Sequence, residues 1–174
     1  MKAVQSKSEL LKVEIPEELS PHCSSRHGNA PEYIVIHYTG SSFQSIDRAI
    51  NYMTRYNSKK SAHYVIDGER IAQIVPISSS AWHVAGGEVM PSYERAKDAR
   101  AWHETDAGKG FKGNRNSIGI ELCVTKDDMT TQRASDKDWH FTAGTLGTAA
   151  KLVAALMDEF NIPIDHVIRH MDAT

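Results

Sequence analysis

The sequence predicts a single α/β domain with a mixed β-sheet and helices packed against it, and three features carry that expectation. A continuous β-branched and aromatic run, with the pattern of a strand buried on both faces, occurs at Tyr33-Ile34-Val35-Ile36-His37-Tyr38, and Ser117-Ile118-Gly119-Ile120-Glu121-Leu122-Cys123-Val124 is again strand-like. Two more β-rich runs, Ala62-His63-Tyr64-Val65-Ile66 and Arg70-Ile71-Ala72-Gln73-Ile74-Val75, flank Asp67-Gly68-Glu69. A Gly-containing link of that length predicts an antiparallel hairpin, which makes the sheet mixed. Apolar residues at helical spacing occupy the stretches between and after these runs. With 174 residues, 40% of them hydrophobic, the chain has the length and apolar content for one domain with one core.

Along the chain, residues 1–31 carry scattered polar groups and Pro16, Pro21 and Pro31, so an arm draped over the domain is expected there, with the domain itself occupying 32–174. Ser45 is placed to cap a helix whose apolar positions are Ile46, Ala49, Ile50 and Met53. From Ser78 to Asn116 the pattern weakens into a segment rich in Gly, Ala, Lys and Trp, long enough to be expected as the rim of a site. Leu146, Ala150, Val153, Leu156, Met157 and Phe160 mark one face of a long helix, with Asn161 as its stop and Pro163 just beyond. His166-Val167-Ile168-Arg169-His170 reads as a last short strand.

Charge excludes some classes of function. Twenty Lys and Arg against 22 Asp and Glu leave a formal charge of -2, with no electrostatic footprint for nucleic acid or an anionic membrane. The apolar runs fall far short of the roughly 20 residues that span a bilayer, so no membrane insertion is expected. The N-terminus has a Lys but no unbroken apolar stretch of the secretory type, which makes synthesis in the cytoplasm the expectation. Cys23 and Cys123 sit in no metal-binding or redox motif and fit a reducing compartment.

Nine histidines are present. His22, His27, His103 and His140 fall in polar stretches and read as solvated surface imidazoles. His37 and His170 differ, because each ends a short β-rich run and can project from the sheet into a shared cleft. Metal ligation and structural hydrogen bonding are both open for that pair. Glu121 places a carboxylate in an apolar strand, where it is either shifted toward a useful general base or partnered by a surface cation. Trp82-His83 precedes Val84-Ala85-Gly86-Gly87, an aromatic platform and an imidazole suited to a sugar or peptide; the other reading is a Trp anchoring its loop. No G-x-S-x-G elbow, P-loop, H-E-x-x-H or zinc-finger cysteine pair occurs.

Five segments occur together and in order: Ile34-Val35-Ile36-His37-Tyr38-Thr39, Ser61-Ala62-His63-Tyr64-Val65-Ile66-Asp67-Gly68, Ala81-Trp82-His83, Asn116-Ser117-Ile118-Gly119-Ile120-Glu121 and Arg169-His170-Met171-Asp172. Together they resemble the type 2 N-acetylmuramoyl-L-alanine amidases, a family of phage endolysins and bacterial autolysins similar in fold to peptidoglycan recognition proteins. The resemblance covers roughly residues 33–174 and implies a central mixed β-sheet flanked by helices, with a Zn2+ site at the floor of a groove for peptidoglycan glycan and stem peptide. On that resemblance His37 and His170 match metal-ligand positions, Glu121 the acidic catalytic position, and Trp82 with His83 the groove wall. His63 matches a motif position and is taken as structural.

The resemblance further implies amide hydrolysis between N-acetylmuramic acid and L-alanine. In the family a third ligand, Cys or Asp, follows the second His by roughly eight to ten residues, beyond Thr174, and a Lys often precedes it. The chain is therefore expected to be truncated inside the active-site motif, with a C-terminal cell-wall-binding module as a further expectation. A phage or prophage lysin, held in the cytoplasm and acting on the wall after release, is the leading reading. An intracellular muropeptide-recycling amidase and a peptidoglycan-binding module without catalysis are the alternatives.

Overall fold

Tyr33–Tyr38 runs parallel to Ser117–Leu122 along its whole length, so the two longest strands among the described residues lie side by side in the central sheet. The computed structural model describes residues 11–40, 45–55, 57–84, 102–128, 130, 131, 133 and 136–173. Its strands, in chain order, are β1 (Val13–Glu14), β2 (Cys23–Ser25), β3 (Tyr33–Tyr38), β4 (Tyr64–Asp67), β5 (Arg70–Gln73), β6 (Ser79–Ala81), β7 (Ser117–Leu122), β8 (Thr125–Lys126), β9 (Trp139–His140) and β10 (Val167–Arg169). Six of them form the central sheet, in the order β1-β5-β4-β7-β3-β10. All neighbours in it are parallel except β4 and β5, which form the predicted antiparallel hairpin. Two small antiparallel pairs, β2 with β6 and β8 with β9, flank it. In the hairpin turn Gly68 takes φ 58°, a conformation that glycine adopts at no steric cost, while Asp67 and Arg70 pair across it.

Helices cover both faces of the sheet. Helix α1 (Ile46–Thr54) begins at Ser45, whose side chain accepts the Arg48 N–H, and buries Ile46, Ala49 and Met53 against Val65, Ala72 and Ile74. Helix α2 (Ala143–Phe160) covers the opposite face, packing Ala149, Leu152 and Leu156 on Ile34, Ile66, Ile118, Ile120 and Leu122. It stops where expected: Asn161 adopts the left-handed conformation at φ 54°, a role its short polar side chain tolerates. The segment around Trp102 and Phe111 closes a third cluster over Val35, Val84, Ile168 and the short helix α3 (His170–Ala173).

Three expectations are corrected. Residues 11–31 do more than drape: β1 extends the central sheet, β2 pairs with β6, and Leu11 and Val13 pack on the core. The buried stripe of α2 is Thr145, Thr148, Ala149, Leu152, Ala155 and Leu156, while Leu146 and Ala150 are exposed. The helix is apolar nearly all round, so its pattern did not distinguish the core stripe from its neighbour. His170 opens α3 instead of ending a strand, since β10 stops at Arg169. Of the predicted rim between Ser78 and Asn116, residues 85–101, including Gly86 and Gly87, lie outside the described residues.

Candidate active site

Strand register sets the site. His37 stands opposite Glu121 across the β3–β7 pair, and Val65 stands opposite Glu121 on the other side. Side chains alternate along a strand, so His37 and Glu121 share the α1 face of the sheet with Val35, Gly119 and Ser117. They lie at the C-terminal ends of parallel strands, where ligand crevices of α/β sheets occur. An open cleft of about 1670 Å³ lies over them and is lined by His37, Glu121, His83, His170, Trp82 and Tyr38 among others. That volume exceeds the roughly 300–1,000 Å³ of small-molecule pockets and suits an extended ligand.

The predicted histidines converge. The Nδ1 atoms of His170 and His37 are 2.8 Å apart, and His37 Nε2 is 3.0 Å from His83 Nδ1. His83 Nε2 is in turn 3.1 Å from Ser117 Oγ. Both ring nitrogens of His83 are therefore engaged inward. The groove-wall expectation for this residue meets a ring with no nitrogen left for a ligand. Trp82 does face the cleft, 39% exposed, with its Nε1–H 3.4 Å from Ser24 Oγ and its ring centroid 5.5 Å from that of His22.

Burial governs the electrostatics. Desolvation, and then the neighbouring His170, push the His37 pKa down to about 3. Desolvation places His83 well below its ordinary value, and it also lowers His170, with the Lys60 charge adding to the effect. All three rings are neutral at pH 7, the form in which imidazole offers a lone pair to a metal. Glu121 moves the other way: burial raises its carboxyl to about 7, against the downward pull of Lys60. Its Oε2 is buried with no hydrogen-bond partner among the described residues. A buried carboxylate oxygen without a partner is costly to keep unless it handles a proton.

The zinc implied by the sequence resemblance can be tested against these donors. Nitrogens bound to a tetrahedral zinc at 2.0–2.1 Å stand roughly 3.3 Å apart, so the two facing Nδ1 atoms need open by only about 0.5 Å. They fit as two ligands. Among the described residues no group of three or more His, Cys, Asp and Glu is arranged to hold an ion. Asp172, near His170 in sequence, is engaged by Arg169 through its backbone N–H, Nε and Nη2 at 2.7–3.0 Å.

One participant escaped the sequence. Arg26 is buried in the N-terminal segment and donates to the carbonyls of Ile77, Arg115 and Ser117, tying β6 to the start of β7. His63 is fully buried, accepts the Gly119 N–H at Nδ1 and contacts the Ser79 carbonyl through Nε2, which supports the structural role expected for it. His22, expected at the surface, is 4% exposed and bonds the Arg55 carbonyl through Nε2. A methyl group at Gly119 would overlap the His83 ring. A glycine inside a strand signals such a close approach, and that cue was present in the sequence.

A parallel strand pair that carries an imidazole and a buried carboxylate, met by two further imidazoles beneath an open cleft, defines an α/β domain with the layout of a hydrolase site. The chain belongs to the N-acetylmuramoyl-L-alanine amidase family, whose model matches residues 27–174. It is 30% identical over 141 residues to N-acetylmuramoyl-L-alanine amidase CwlA of Bacillus subtilis (strain 168), a match covering 81% of this chain and 40% of that protein. To CwlH of the same organism it is 27% identical over 143 residues, covering 81% and 44%. A solved mutant endolysin from Bacillus subtilis superposes with a TM-score of 0.55 at 26% identity, covering 91% of this chain and 84% of that one. The chain thus spans less than half the length of these two curated relatives.

Proposed function

We propose that this chain hydrolyses the amide between the lactyl group of N-acetylmuramic acid and L-alanine in peptidoglycan, with His37 and His170 as zinc ligands and Glu121 as general base. The observation that carries this reading is the Glu121 carboxyl, buried beside His37 at the cleft floor and raised to about 7. A proton acceptor poised near working pH is what amide hydrolysis requires. Zinc, when bound, supplies polarisation of the scissile carbonyl and acidification of water.

The chain's own groups do the rest. Glu121 takes the proton of the attacking water and passes it to the departing amine nitrogen. His37 and His170 hold neutral imidazoles at the cleft floor. Trp82, Tyr38, Leu146 and Met171, each about 40–50% exposed, offer apolar surface along the cleft for sugar rings and peptide. Lys59, Lys60, Lys112, Arg115 and Arg169 also line it, and Glu121 is the sole carboxylate among the described lining residues. That balance favours ligands bearing carboxylates, as stem peptides do.

Incubating the zinc-supplemented protein with purified peptidoglycan should release peptides with new N-terminal alanine and no new reducing sugar ends. Tight binding to the wall without such termini would replace the enzyme by a binding module. A lysin role is proposed on the likeness to the endolysin. It predicts higher turnover on intact walls than on soluble muropeptides, and the reverse preference would mark a recycling enzyme.

A further inference from the structure

We infer that His83 is a positioning residue for His37: anchored through its Nε2–H to Ser117 Oγ, it accepts the His37 Nε2–H at Nδ1 and so presents His37 Nδ1 to the cleft as a bare lone pair. The inference rests on the reading of His37 as a zinc ligand and deepens it.

The hydrogens can be assigned one by one. Ser117 Oγ donates its single hydrogen to the Gly113 carbonyl at 2.7 Å, so toward His83 it can only accept. His83 Nε2, 3.1 Å from that hydroxyl, therefore carries the ring hydrogen. A neutral imidazole has one N–H, which leaves His83 Nδ1 an acceptor. His37 Nε2, 3.0 Å away, must then be the donor, and its Nδ1 is left unprotonated. The other tautomer of His37 would set two lone pairs against each other in a buried contact. In the metal-free protein the remaining hydrogen lies on His170 Nδ1 and points at His37 Nδ1 across 2.8 Å.

The anchor is built at both ends. Asn114 Oδ1 accepts the backbone N–H of His83 at 3.1 Å and of Val84 at 2.8 Å, which pins the main chain. The ring fills the space left by the missing side chain of Gly119. Metal-binding histidines generally owe their tautomer to a carboxylate or carbonyl on the far nitrogen; here a second imidazole backed by a hydroxyl takes that place.

Two measurements on the 174-residue chain test this. In the zinc-free protein, 15N-resolved imidazole NMR should show His37 protonated at Nε2 and bare at Nδ1; an Nδ1–H tautomer would overturn the inference. Chelator competition with zinc ion should then give about 10–100-fold weaker binding in His83→Phe, which keeps the ring volume without the acceptor, and substantial recovery in His83→Asn, which restores an acceptor near the Nδ1 position. A folded His83→Phe protein that binds zinc as the native chain does would also overturn it. If His83→Phe does not fold, the native tautomer and His83→Asn decide. A native chain that binds no zinc but shows the Nε2–H tautomer sinks the metal reading and leaves the positioning role standing.

Discussion

The two faces of the central sheet are made by the same strands and have opposite characters. On the α2 side, β3 and β7 present Ile34, Ile118, Ile120 and Leu122 to Leu152 and Leu156, a dry aliphatic layer. On the α1 side the alternate residues of these strands are Val35, His37, Ser117, Gly119 and Glu121; His37, Ser117 and Gly119 bond His83, His170 and His63, while Glu121 stands beside His37 across the strand pair. The α2 face is all packing, whereas the α1 face combines the packing of α1 with the chemistry. The lesson is one of period: with side chains alternating every residue, a strand can spend every second position on stability and leave the others for groups that cost stability.

Substitutions on the two faces should therefore separate activity from stability. The largest effect is expected for Glu121→Gln, which should lower turnover about 10²–10⁴-fold while leaving zinc content unchanged. The same change should raise stability in the metal-free protein. Burial raises the folded carboxyl to about 7 from its ordinary value of 4.5, so ionisation penalises the folded state as pH rises through that window, by about 3 kcal/mol above pH 8. Thermal melts at pH 5 and pH 8 check the sign: a Gln variant that is no more stable than native at pH 8 contradicts the burial argument.

Ile120→Ala, one residue away on the other face, should cost about 2–5 kcal/mol of unfolding free energy through the cavity it leaves, with turnover per folded molecule retained. Denaturant titration alongside activity would show it, and a comparable loss of turnover would mean that the faces are not independent. Gly119→Ala should cost about 1–3 kcal/mol through overlap with the His83 ring and disturb His37 as well, visible as weaker zinc binding together with a lower melting temperature.

Acid should weaken the chemical face before the aliphatic one. His37 is neutral in the fold with its pKa at about 3, below the unfolded value, so its contribution is present above about pH 6.5 and lost as pH falls toward 3. Imidazole NMR during acidification should report disruption of the His37–His83 contact before the core methyl signals change. The smallest effect is assigned to Lys60→Met. Lys60 lowers the Glu121 pKa, so its loss should move the acid limb of kcat/KM to higher pH, and added salt should mimic the change.

Much of this architecture was legible in local sequence. The β3 and β7 runs, the Gly68 turn, the Ser45 cap and the Asn161 stop are short-range signals, and each appears where expected. Glu121 stood out because a carboxylate interrupts an apolar strand, and His37 because an imidazole ends a β-rich run. The buried stripe of α2 was not legible, because Leu146 and Ala150 are as suited to a core as the Leu152 and Leu156 that occupy it. The strands of the N-terminal segment are two and three residues long, too short to leave a periodic signal.

By itself the sequence determined the alternation that puts His37 and Glu121 on the face opposite Ile34 and Ile120, since side-chain period is a local property of extended chain. Their meeting was decided by the parallel register of β3 and β7, together with the return of the chain that brings His170 beside His37. The inward turn of His83 was decided by Ser117, Asn114 and the space above Gly119, which lie more than 30 residues away along the chain. Which nitrogen of a histidine carries the hydrogen depends on the partners around the ring, and only the folded chain supplies them.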